Sequence, residues 1–100
     1  MSAAIGIWAL GAVDADVVLY RWEAERQLGF VSFEVSMLRF RAADSSGRTL
    51  GDLLFDAITE EISGGADGVD RRLFEHVTGS ILRMYKRAGA APATAHVYYF

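Results

Sequence analysis

Near the start of the chain, apolar residues recur at every second position. Ile5, Ile7 and Ala9 alternate with Gly6, Trp8 and Leu10, a spacing that predicts a strand. Ile5, Trp8 and Ala12 also fit a 3.6-residue period, so a helix is the alternative for this segment. Asp14 and Asp16 interrupt the run, and Val17-Val18-Leu19-Tyr20-Arg21-Trp22 follows as a β-branched and aromatic strand. The polar stretch 23–27 and Gly29 turn the chain into a further strand, making a hairpin. Over 30–42 the apolar parity changes: Val31, Phe33, Val35 and Met37 share one face, whereas Leu38 and Phe40 fall on the other. A one-residue slip exchanges the faces of a strand, so this pattern predicts one long strand with a bulge or bend near 36–38. The alternative is that both faces are covered at that end, one of them by a partner chain.

The periodicity then lengthens. Thr49 with Asp52 three residues later resembles a helix-capping pair, and Leu50, Leu53, Leu54, Ala57, Ile58 and Ile62 fall at three- and four-residue spacings. Asp52, Asp56, Glu60 and Glu61 lie mostly opposite, and Gly64-Gly65 stops this first predicted helix. A second helix is predicted over 70–88, with Leu73, Phe74, Val77, Ile81, Met84 and Tyr85 facing inward and Gly89 ending it. Its last turns hold Arg83, Lys86 and Arg87, which suit the negative end of the helix dipole. After Pro92 comes a final strand, Thr94-Ala95-His96-Val97-Tyr98-Tyr99-Phe100. The expected fold is α+β: a twisted, mainly antiparallel sheet of about four strands with two helices on one face, in the order β-β-β-α-α-β. It forms a single domain over residues 1–100.

Composition agrees with a folded chain. Of 100 residues, 52% are hydrophobic and one is proline, far from the signature of disorder. There is no cysteine, which excludes disulfides and thiolate chemistry together. A net charge of −3 argues against nucleic acid as a partner of the whole molecule. The apolar run over 3–13 is too short for a transmembrane helix, which needs roughly 20 residues, and no Lys or Arg precedes it as in a signal peptide. The expectation is a cytoplasmic protein with no membrane contact.

No constellation of residues points to catalysis or a cofactor. His76 and Ser80 are one helical turn apart, a spacing that any polar helix face produces, and they read as a solvated face. Glu75 and His76 are adjacent and point apart, while Asp14, Asp16, Asp67 and Asp70 lack the remaining ligands of a calcium loop. Gly64-Gly65-Ala66-Asp67-Gly68 precedes a helix but has no Lys-Ser/Thr pair, and Asp67 and Asp70 would repel an anion. Asp56 and Glu60 have nothing apolar nearby in sequence to separate their pKa values. Catalytic, metal and cofactor residues are therefore assigned to none.

Two features remain. Residues 49–68 carry five acids and no bases, whereas 69–100 carry five bases, Arg71, Arg72, Arg83, Lys86 and Arg87, against two acids. These bases form a candidate charged contact, unless the two predicted helices merely attract each other. Trp8, Tyr20, Trp22, Tyr98, Tyr99 and Phe100 fall in strands on alternating faces, more rings than one helical layer covers, and form a candidate interface unless they complete the core. The last strand, if it lies at the edge, invites pairing with another chain. The expected function is that of a small non-catalytic protein–protein interaction module, self-associating or regulating or inhibiting a partner protein. Its size and acidic charge are those of small inhibitors that neutralise toxins, and no motif names a family. The alternative is a small-ligand-binding protein or enzyme whose pocket lies between sheet and helices, lined by Trp22, Phe33, Tyr85 and Tyr98.

Overall fold

The computed structural model describes residues 3–99, and the side chains of 4–97. Along the chain run β1 (Ala3–Leu10), β2 (Val17–Ala24), β3 (Gln27–Glu34), β4 (Arg39–Ala43), β5 (Thr49–Asp56), β6 (Glu61–Ser63), α1 (Arg71–Ala88) and β7 (Thr94–Tyr99). All seven strands form one antiparallel sheet in the order β6-β5-β4-β3-β2-β1-β7. The alternation that predicted β1 as a strand holds, as does the hairpin of β2 with β3. The expected arrangement of four strands and two helices does not: among the described residues there are seven strands and one helix.

The chain departs from expectation in two places. The parity change over 30–42 is a chain reversal, not a bulge. β3 ends at Glu34, the chain turns with Leu38 N–H donating to the Val35 carbonyl at 3.2 Å, and β4 returns so that Phe33 faces Phe40. Inward residues are odd-numbered on β3 and even-numbered on β4, which a slipped strand would mimic. The second departure is 49–63, expected as a helix and found as β5 and β6. Gly51, at φ 60°, sits in the left-handed region, and a Cβ there would lie 2.4 Å from the Gly65 carbonyl oxygen. A helix cannot pass through that residue in that conformation. Leu53, Phe55 and Ala57 instead alternate toward the core, and Phe55 pairs with Phe40.

α1 forms where predicted. Asp70 caps its start, the side chain accepting from the N–H groups of Arg72 and Leu73 at 2.9 and 3.2 Å, and Gly89 closes it in the left-handed conformation at φ 74°. Leu73, Phe74, Val77, Ile81 and Leu82 bury the helix against the inner face of the sheet. That face contributes Ile5, Ile7, Val18, Tyr20, Trp22, Val31, Phe33, Phe40 and Leu53. Phe33 stacks on Phe40 with centroids 4.3 Å apart and meets Tyr85 of α1 edge-on at 5.4 Å, which fills the space between layers. Fully burying one such side chain contributes roughly 1.5–3 kcal/mol. The Cα radius of gyration, 12.2 Å, is close to the ~13 Å of a 100-residue globule.

Candidate functional site

Because α1 is the only described helix and covers one face, the opposite face of the sheet stays open. Residues opposed in register share a face, so this outer surface can be read across the strands. Thr94, Trp8, Arg21, Phe30 and Ala43 form one row; Leu10, Leu19, Ser32, Arg41 and Leu54 form the next. A third row holds Val17, Glu34, Arg39, Asp56 and Glu61. Trp8 is 38% exposed, Leu10 in the second row and Val17 in the third are exposed as well, and Leu19, Phe30 and Leu54 are half-buried. Gly6 makes room for the ring: a Cβ there would lie 2.8 Å from the Trp8 indole. Trp8, Leu10, Arg21 and Glu23 line a shallow depression. Arg21 donates to Glu23 at 2.8 Å, and its Nε is buried without a partner among the described residues. Glu34 accepts from Arg41 at 3.2 Å, and Asp56 lies 3.9 Å from Arg39.

The structure divides the predicted aromatic set. Trp8 lies on the open face, but Tyr20 and Trp22 belong to the core, 0% and 4% exposed. Tyr20 donates its hydroxyl to the Pro92 carbonyl at 2.7 Å, and burial pushes its phenol well above the ordinary tyrosine range. Tyr98 and Tyr99 pair in register with Ala4 and Ala3, their side chains lying outside the described residues together with Phe100. β7 is an edge strand as expected. Ala9 N–H bonds to the Ala93 carbonyl, and this register turns the peptide groups of Thr94 and His96 away from β1. The buried Ser80 hydroxyl of α1 meets that edge, donating to the His96 carbonyl at 3.2 Å, so Ser80 is not part of a solvated helix face.

The basic residues stay on the solvent side of α1, where Arg72, Arg83, Lys86 and Arg87 are all exposed. The attraction expected between an acidic and a basic helix is replaced by a local contact. Arg71 donates to the Ile62 carbonyl on β6 at 3.0 Å and lies 3.9 Å from Glu75. Of the four residues expected to line a pocket between sheet and helices, Phe33 meets Tyr85 edge-on at 5.4 Å, Trp22 borders a cleft, and the side chain of Tyr98 lies outside the described residues.

A cleft opens elsewhere. The register between β4 and β5 shifts between Arg41, opposite Leu54, and Ala43, opposite Thr49, so residues 50–53 of β5 bulge from the ladder. Such irregularities recur beside binding sites. The cleft there, about 240 Å³, has Trp22, Val31, Leu50 and Phe74 as apolar lining and Asp44, Asp67 and Asp70 as acidic residues. Asp44 accepts from the Ser46 hydroxyl at 2.6 Å and from the N–H groups of Ser46 and Arg48. The Ser46 hydroxyl, with the Arg48 N–H adding to it, holds the Asp44 carboxyl below its ordinary range. Spacing could not announce this cleft, because its residues come from stretches of chain as far apart as Trp22 and Phe74; the one visible trace was the acidic Asp67 and Asp70 beside a glycine-rich loop.

Among the described residues, no group of three or more His, Asp or Glu side chains is placed to hold a metal ion. No described helix is long and apolar enough to cross a membrane. No protein-family model matches the sequence, and no curated protein or solved structure matches it either.

Proposed function

We propose that this chain is a small cytoplasmic interaction module that pairs with a second copy of itself through the outer face of its sheet. The observation that carries this reading is Trp8, held 38% exposed over Gly6 on the open face between Thr94 and Arg21, with Leu10 exposed in the next row. Tryptophan set among Leu10, Leu19 and Phe30 is the kind of anchor that dominates interface energetics. Charge favours a second copy at this face. Arg21, Arg39 and Arg41 stand against Glu23, Glu34, Asp56 and Glu61, a near balance that two-fold pairing tolerates. The solvent face of α1 would repel its own copy.

Light scattering over a concentration series tests this. The wild type should rise from the 11.0 kDa of one chain toward twice that mass, and Trp8→Glu should stay at one chain with unchanged circular dichroism. A wild type that remains a single chain at millimolar concentration, or a Trp8→Glu variant that still pairs, overturns the reading.

A further inference from the structure

A second feature, independent of the outer face, is the cleft beside Trp22. Trp22 is 4% exposed, and no acceptor for its indole N–H is found among the described residues. Its Nε1 would lie 2.8 Å from a Cβ on Gly29, which lines the cleft, and this nitrogen is not among the sealed unpartnered atoms. The indole N–H is therefore open to the cleft, where an arriving acceptor can take the place of water.

The acidic residues say what accompanies that acceptor. Asp44 and Asp70 each use Oδ1 to hold backbone N–H groups, which leaves each a second carboxylate oxygen. Asp67 makes none of the side-chain hydrogen bonds or ion pairs found among the described residues. No Lys or Arg lines the cleft. Against three carboxylates stand the Arg48 guanidinium, outside the lining but acting on Asp44, and about +0.5 charge at the start of α1, already engaged by Asp70. The field at the cleft therefore favours a cation. At about 240 Å³ the space lies below the ~300–1,000 Å³ of drug-sized pockets, which fits a single aliphatic stem and its head group.

We propose that this cleft binds a basic amino-acid group: a guanidinium or ammonium among Asp44, Asp67 and Asp70, its stem against Leu50 and Phe74, and a neighbouring carbonyl accepting from Trp22. The source is either a free amino-acid derivative or a residue within a peptide.

The test is a titration of the 15N-labelled chain followed at the Trp22 indole cross-peak, distinguished from the other indole with Trp8→Phe. The probes are Nα-acetylarginine methylamide, its neutral citrulline counterpart, and the pentapeptide Ala-Ala-Arg-Ala-Ala. The arginine probe should shift the Trp22 peak saturably. The citrulline probe should bind several-fold more weakly, and Asp67→Asn should weaken the arginine probe about two- to five-fold, as expected for one exposed ion pair. Pentapeptide binding at least as tight as the arginine probe assigns a peptide source; weaker binding assigns a free derivative. Absence of a saturable shift with either arginine ligand, or equal binding of the citrulline probe, overturns the proposal. Because Asp67 anchors no part of the fold, an Asp67→Asn variant with unchanged unfolding midpoint and unchanged affinity also overturns it.

Discussion

At the scale of single residues, two indoles lie over two glycines and do different work. Trp8 covers Gly6 on the open face, whereas Trp22 faces Gly29 across β2 and β3 on the core side. A Cβ on Gly29 would fall 2.5–2.8 Å from atoms of a ring packed against the core. Gly29→Ala should therefore cost about 1–3 kcal/mol, read as a lower urea midpoint. Tyr20 gives a pH signature. Its ordinary pKa is 10.0 and burial raises it in the folded state, so above pH 10 the unfolded chain loses the proton first. Stability should then fall by up to ~1.4 kcal/mol per pH unit, and Tyr20→Phe should show less of that fall in alkaline urea titrations. Sequence could not assign either residue to a side of the sheet, because rings on alternate positions fit both a core and an interface.

At the scale of elements, α1 was legible because its signals are local and agree: a capping Asp70, an apolar stripe and a terminating Gly89. The segment 49–63 misled because leucines at helical spacing outweighed one contrary residue. Phe55 would have sat on the polar side of that helix, and it fits only the alternation of Leu53, Phe55 and Ala57. The β3–β4 turn was hidden for a related reason. It lacks glycine, proline and asparagine, and Leu38 takes the left-handed conformation at φ 51°. Glu60, exposed between β5 and β6, does the same at φ 60°. Glu60→Gly should relieve that conformation and raise stability by about 0.5–1 kcal/mol, measured as a higher urea midpoint.

At the scale of the molecule, the one described helix cannot roof both faces of a seven-stranded sheet, and the outer face stays uncovered. Its charges nearly balance, so the proposed pairing there would rest on apolar burial. Raising salt from about 0.1 to 1 M shortens the Debye length from ~10 to ~3 Å, yet the dimerisation constant from sedimentation should change by less than about two-fold. A ten-fold change would place the contact on the basic side of α1 instead. The two edges differ as well. β6 is three residues long with an Arg71 hydrogen bond on its Ile62 carbonyl, and β7 is met by Ser80. Both devices blunt an edge against indiscriminate pairing.

Alternation and capping are properties of neighbours along the chain, and these alone determined β2, α1, β7 and the inward stripe of the helix, while leaving β1 between strand and helix. Whether a parity change is a bend or a reversal depends on which strand comes to lie alongside, and whether Leu53 joins a helix or a ladder depends on Phe40 being there to meet Phe55. Such choices are energies of contact between residues far apart in sequence. For the same reason only the tertiary structure could hide Tyr20, expose Trp8, and open a cleft beside Trp22 where β5 bulges against β4.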